Sequence, residues 1–261
     1  MSAEHPADPE LRALLAIARE ASRLAGEVIM PLYDSVLTVE LKADRTPVTL
    51  ADRNAEEALR RFLERECPGH GILGEEFGER AGDGRYRWIL DPIDGTQSFI
   101  RHVPLFGTLV ALEREGEPVV GVIGCHAVGE TAYAAKGMGA FINERPTRVS
   151  EARELRDSLV LGPSASTMHR TRPAVLQALL ANARIQSWCD CYGYLMVAAG
   201  RADAMIDPEM SIWDAAALYP VITEAGGRMT TWEGEDRVGD SVIATNGLLH
   251  QAMLAVVQTT A

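Results

Sequence analysis

The reading of this chain turns on the stretch Trp88-Ile89-Leu90-Asp91-Pro92-Ile93-Asp94-Gly95-Thr96. An apolar run leads into two carboxylates three positions apart and then into Gly-Thr, which predicts a strand whose end presents polar groups, the usual place for active-site residues. The same residues suit an Asx-type turn in which Asp94 or Thr96 caps the following helix. Taken alone, the segment leaves a structural and a chemical role open.

Two further elements bear on that choice. Glu75 and Glu76 end another apolar strand, GILG, upstream, where adjacent carboxylates are electrostatically awkward unless one is solvated and the other is neutralised by a cation. Asp214 stands at the start of the WDAAALYPVITEAGG segment, where a helix dipole alone favours a negative charge. The conjunction of Glu75, Asp91, Asp94 and Asp214 suits hard divalent ions such as Mg²⁺, which take oxygen ligands and keep several waters. The histidines at 5, 70, 102, 126, 169 and 250 show no ligand spacing, and no cysteine cluster points to zinc. His102 and His126 read more simply as satisfied or surface residues.

Outward from this centre the texture changes along the chain. From Asp8 to about Tyr33, Leu11, Leu14, Leu15, Ala18, Ala21 and Ala25 recur at helical spacing, with Asp8 placed to cap and Pro9 in the first turn. Thr49 is placed to cap a second helix with an apolar face of Ala55, Ala58, Leu59, Phe62 and Leu63, ending near Pro68. Gly71 to about Asn143 reads as a mostly antiparallel sheet, and the part beyond Ser150 alternates strand and helix, with one helix expected over 213–227 and a last one from Leu248. No linker or repeat interrupts the 261 residues, so a single catalytic unit of two packed halves, about 1–148 and 149–261, is expected.

Composition narrows the classes. With 25 Lys+Arg against 37 Asp+Glu the net charge is −12, which disfavours nucleic acid and anionic membranes as partners. Cys67, Cys125, Cys189 and Cys191 are too few and too unevenly spaced for a disulfide framework and read as reduced thiols. The acidic N-terminus does not resemble a signal peptide, and no run approaches the roughly 18 apolar residues of a membrane span, so the cytoplasm is expected.

Glu75-Glu76, Asp91-Pro92-Ile93-Asp94-Gly95-Thr96, Trp213-Asp214 and Gly226-Gly227, in this order, resemble the motif set of the inositol monophosphatase superfamily of metal-dependent phosphatases. The resemblance runs from about Lys42 to the C-terminal strands and implies an α/β layered sandwich, the inositol monophosphatase / fructose-1,6-bisphosphatase-like αβαβα fold. It implies that Glu75, Asp91 and the Ile93 carbonyl hold one Mg²⁺, that Asp91, Asp94 and Asp214 hold a second, and that a third, weaker ion leans on Glu75. It further implies that the Thr96 hydroxyl, backed by Asp52, orients the attacking water. In the same way the Gly95 and Thr96 N–H groups are expected to hold phosphate, Lys42 to correspond to a lysine on a mobile loop, and the protein to be a homodimer, with the apolar stretch around 104–112 as a candidate contact surface.

The leaving-group side departs from the inositol pattern. Asp190 falls where the inositol enzymes carry a small neutral residue, and Asp207, seven before Asp214, replaces their polyol-binding Glu. A carboxylate without a partner in a sugar-alcohol pocket costs desolvation free energy. The Asp-Cys-Tyr run at 190–192 and SFIRHVPLFGTLVAL at 98–112 resemble the histidinol-phosphatase branch, whose substrate L-histidinol phosphate carries cationic groups for Asp190 and Asp207; Glu209 is a further candidate. A helix-capping role for Asp190, a broader inositol or sugar-phosphate phosphatase, and a non-catalytic metal- or metabolite-binding regulator are the competing readings.

Overall fold

The computed structural model describes residues 8–33, 35, 39–41, 47–188 and 190–258. The first helix, α1 (Pro9–Tyr33), begins as the sequence predicts: the Asp8 carboxylate accepts the Glu10 N–H at 3.0 Å. Its buried residues, Leu11, Leu14, Leu15, Ala18, Ala21, Ala25 and Ile29, form one stripe at 3- and 4-residue spacing. A short hairpin, β1 (Val39–Leu41) and β2 (Pro47–Thr49), leads to α2 (Leu50–Glu66), which Thr49 opens with a capping box closed by Asp52.

Next come β3 (Gly71–Gly74), β4 (Gly78–Arg80), β5 (Tyr86–Asp94), a short helix α3 (Thr96–Phe99), β6 (Gly107–Arg114), β7 (Glu117–Cys125), β8 (Glu130–Ala135), β9 (Ala140–Ile142) and β10 (Arg145–Thr147). These strands make one eight-stranded sheet in the order β10-β9-β8-β7-β6-β5-β3-β4, antiparallel except where β3 runs parallel to β5. The second half supplies β11 (Leu159–Leu161), α4 (Ala165–Thr171), α5 (Pro173–Asn182), β12 (Arg184–Gln186), α6 (Asp190–Ala198), β13 (Ala204–Asp207), α7 (Ile212–Ala215), α8 (Leu218–Glu224), β14 (Arg228–Thr230), β15 (Val242–Thr245) and α9 (His250–Gln258). Its five strands form a mixed sheet in the order β12-β11-β13-β15-β14.

The alternation of side chains along the strands sorts the core into three layers of packing. Trp88, Leu90, Val110 and Leu112 pack with α1 and α2, whereas Ile89, Leu109 and Ala111 on the opposite face meet Tyr194, Leu195, Val221 and Ile222 of α6 and α8. Met205 and Ala244 join that middle layer from the second sheet, while Ala204, Ile206 and Ile243 face Val175, Met253 and Leu254. The result is the expected helix, sheet, helix, sheet, helix sandwich.

Three details differ from the expectation. The helix predicted over 213–227 is two helices, α7 and α8, because Pro220 has no N–H to donate to Ala216 and its ring crowds that carbonyl. Helix α4, capped by Ser164 accepting the Thr167 N–H at 3.1 Å, was not anticipated. Most of the stretch considered as a contact surface is core, with Pro104 exposed and Leu105 half-buried: Phe106 and Leu109 to Leu112 are at most 1% exposed, since β6 lies inside the larger sheet with both faces covered.

Candidate active site

The site forms where the ends of β3 and β5 meet the first turns of α2, α6 and α7. In a regular strand Asp91 and Asp94, three apart, point to opposite faces. The ladder with β6 slips here, pairing Asp91 with Leu109 but Asp94 with Gly107, so three steps on one strand match two on the other. This bulge accommodates Pro92, which has no ladder proton to give, and turns both carboxylates to one side. Ligand oxygens of Asp91, Asp94 and Asp214 consequently lie within 4.8 Å of one another.

Three of the site's carboxylates are held by backbone N–H groups at helix starts. Asp52 Oδ2 accepts the Thr49 N–H at 2.7 Å and the Thr49 hydroxyl at 2.6 Å. Asp214 Oδ2 accepts the Ser211 N–H at 2.7 Å, closing the capping box of α7. Asp94 Oδ2 accepts the Cys191 N–H of α6 across a gap of 97 residues. Each anchor occupies one oxygen and leaves the second for the site, so the dipole-favoured position of Asp214 and its place in the cluster are the same fact. Glu75 enters from the end of β3, with its own N–H donating to the Leu90 carbonyl at 3.2 Å, one residue before Asp91.

Gly95 takes a left-handed φ of 85°, and a Cβ there would meet Asp190 Oδ2 at 3.0 Å and the Leu105 carbonyl at 3.1 Å. Asp190 is thereby placed against the Asp94-Gly95 turn, and it too is left-handed, at φ 56°. Asp207 accepts the Tyr194 hydroxyl at 2.8 Å. The donor is a buried tyrosine, 1% exposed, a partner that no spacing in the sequence signals. Glu209 is exposed.

Thr96 and Asp52 make no direct hydrogen bond with each other. Thr96 Oγ1 donates to the Ile93 carbonyl at 3.1 Å, while Asp52 is committed to Thr49. Asp52 still lies close enough for the charge of Glu75 to raise its pKa beyond the effect of burial. Lys42 and Cys189 lie outside the described residues; Cys67, Cys125 and Cys191 are free thiols, all buried.

Behind the site a polar chain supports the bulge. Thr108 Oγ1 donates to the Pro92 carbonyl at 2.9 Å and lies 3.1 Å from His126 Nε2. The hydroxyl's one proton goes to Pro92, so His126 donates from Nε2. Burial draws the His126 pKa from 6.5 to about 4, which fits a neutral, structural ring.

Electrostatics show what the cluster lacks. Burial, followed by the charges of Glu75, Asp94 and Asp214, pushes Asp91 well above the usual carboxylate range. Burial, with Asp190 and Asp214, does the same to Asp94; Asp214 rises to about 6 and Asp207 to about 8, both chiefly through burial. Asp91, 2% exposed, has an Oδ1 with no hydrogen-bond partner. Among the described residues no Lys, Arg or His forms an ion pair with Asp91, Asp94 or Asp214. Buried anions stay ionised only beside positive charge, so an orphaned carboxylate oxygen amid like charges fits a divalent cation bound through oxygen.

The layered sandwich carries an all-oxygen donor set suited to a metal ion. The inositol monophosphatase family model matches residues 10–260, and the chain belongs to that family of metal-dependent phosphatases; it is a phosphoric monoester hydrolase. It is 39% identical to the histidinol-phosphatase of Chlorobaculum parvum over 93% of this chain and 96% of that protein. It is 41% identical to the histidinol-phosphatase of Mycobacterium tuberculosis over 84% and 87% of the two chains. Among solved structures, the extragenic suppressor protein suhB from Bartonella henselae superposes with a TM-score of 0.90 at 33% identity, covering 95% of this chain and all of that one. No described helix is long and apolar enough to cross a membrane.

Proposed function

We propose that the chain hydrolyses L-histidinol phosphate to L-histidinol and phosphate, as the names of its histidinol-phosphatase relatives suggest. The observation that carries this reading is the position of Asp190 beside Gly95 and of Asp207 beside Tyr194, two carboxylates additional to the metal cluster and suited to a cationic leaving group. Mg²⁺ is assigned to Glu75, Asp91, the Ile93 carbonyl, Asp94 and Asp214, in two or three sites. The proposed placement is a single catalytic unit in the cytoplasm, working as a homodimer.

When bound, the metal supplies positive charge to the phosphate oxygens and lowers the pKa of water. The chain's own residues do the rest. The bulge at Pro92 and the caps from Ser211 and Cys191 fix the carboxylates before substrate arrives, so little reorganisation is needed in the reaction. The Gly95 and Thr96 N–H groups, at the start of α3, have no intrahelical partners and suit phosphate oxygens. Thr96, whose hydroxyl oxygen can still accept a hydrogen bond while donating to Ile93, would accept one from the attacking water. Asp190 and Asp207 orient the departing amino alcohol through its ammonium and imidazole groups.

The test is phosphate release in Mg²⁺, with and without chelator, from histidinol phosphate, inositol 1-phosphate and adenosine 3′,5′-bisphosphate. Chelator-sensitive preference for histidinol phosphate is the expected outcome. Preference for inositol 1-phosphate would remove the substrate assignment and retain the metal centre.

A further inference from the structure

We propose that Glu56 is a positioning residue of the metal centre, acting through the turn that carries Glu75. This rests on Glu75 being a metal ligand, as assigned above.

Glu56 lies one helical turn after Asp52 on α2, so both project from the same face toward the end of β3. It is 0% exposed. A fully buried glutamate is costly unless its oxygens are engaged, and here the engagement is specific. Glu56 Oε2 accepts the Glu76 N–H at 2.7 Å; Oε1 accepts the Phe77 N–H at 3.2 Å and Arg60 Nε at 2.8 Å. Arg60 in turn donates to the Gly78 carbonyl and sets its guanidinium over the Phe77 ring, 5.9 Å from the centroid. On the other side of Glu75, a Cβ at Gly74 would fall 2.1 Å from Glu56 Oε1, so the strand end approaches this carboxylate as closely as a glycine permits.

The residues flanking Glu75 are therefore both seated on Glu56, and the Glu75 N–H is tied to Leu90 of the strand that carries Asp91. Glu75 leaves the chain between those seats, at the strand end that adjoins the strand carrying Asp91. Glu56 touches none of the reacting groups. Its effect is to fix how far Glu75 reaches toward Asp91, and hence how tightly the site holds its cation, in the way that supporting residues commonly alter metal affinity by about 10–100-fold.

The experiment compares the wild type with Glu56→Gln and Glu75→Gln in the full chain. Mn²⁺ binding is followed directly by electron paramagnetic resonance without substrate, and the Mg²⁺ concentration for half-maximal turnover is measured separately. Glu56→Gln is expected to weaken Mn²⁺ binding and raise the half-maximal Mg²⁺ by about tenfold, with kcat largely restored at saturating Mg²⁺. A purely structural role would lower the melting temperature in chelator and leave the metal affinity of the folded fraction unchanged; that result overturns the proposal, provided Glu75→Gln does lose metal. If Glu75→Gln binds Mn²⁺ as the wild type does, the assignment of Glu75 itself fails. Should Glu56→Gln not yield folded protein, Arg60→Lys, which keeps the charge without the planar fork, is expected to weaken Mn²⁺ binding about threefold, and unchanged affinity there overturns the proposal equally.

Discussion

Asp94 and Cys191, 97 positions apart in sequence, meet through a hydrogen bond from the Cys191 N–H to the Asp94 carboxylate. The bond joins the bulged end of β5 to the first turn of α6, and so ties the carboxylate cluster to the helix that carries Asp190 and Tyr194. An asparagine can accept the same bond through its side-chain oxygen but brings no charge. Asp94→Asn is thus expected to fold and to lose at least about 100-fold in turnover, the scale of several kcal/mol of charge stabilisation. In chelator its melting temperature should rise, because one of a set of buried like charges is gone. Calorimetric scans with EDTA and with Mg²⁺ check both parts; a lower melting temperature in EDTA would mean that the charge itself is not destabilising.

Asp190→Asn separates substrate recognition from chemistry. Histidinol phosphate turnover should fall by at least about tenfold, the value of a charge-assisted hydrogen bond of roughly 1.5–3 kcal/mol. A neutral phosphate ester should change by less than about threefold, since no cation is present to pair. Equal losses of kcat/KM on both substrates would remove the proposed role of Asp190.

Thr108→Val tests the support behind the bulge. The substitution keeps the side chain's shape and removes the hydroxyl that joins the Pro92 carbonyl to His126 Nε2. Leaving buried polar groups unpaired costs about 1–3 kcal/mol each, so urea unfolding should show a loss of roughly 2 kcal/mol or more. A change below about 0.5 kcal/mol would show that the site relaxes without this link.

His250 predicts an acid-dependent loss of stability. It is 1% exposed, between the Thr230 and Thr245 hydroxyls at 3.0 and 3.1 Å, and burial draws its pKa from 6.5 to about 4. Between those values the folded state binds fewer protons than the unfolded state. Its contribution is therefore complete above pH 6.5 and is lost as the pH falls toward 4, a change on the order of 3 kcal/mol. Urea unfolding of wild type and His250→Asn at about pH 4.5 and about pH 7.5 isolates this group. The variant should lose less stability on acidification, and equal losses in the two proteins would place the dependence elsewhere.

Much of the candidate site was legible before any fold was known. Glu75, Asp91, Asp94 and Asp214 could be picked out because each stands where an apolar run ends or a helix begins, and the capping roles of Asp8 and Thr49 follow from local chemistry. Other features were not legible. The split between α7 and α8 follows from Pro220, a residue visible in the sequence but outweighed by an unbroken apolar pattern. The bonds from Thr49 to Asp52, from Tyr194 to Asp207 and from Thr96 to Ile93 compete with other partners available to the same side chains. Which partner wins depends on distances that packing sets.

The sequence by itself determined the chemistry of the centre and the alternation of layers, because charge, hydrogen-bonding capacity and apolar periodicity are properties of residue types and spacing. Only the tertiary structure decided that Asp91 and Asp94 face the same way, that Asp190 lies against Gly95, and that Glu56 seats the turn around Glu75. A regular strand would have separated the first pair. The bulge at Pro92, the left-handed backbone at Gly95 and Asp190, and the close approach at Gly74 are conformations that the surrounding core imposes, and their geometry is set by residues far away in the chain.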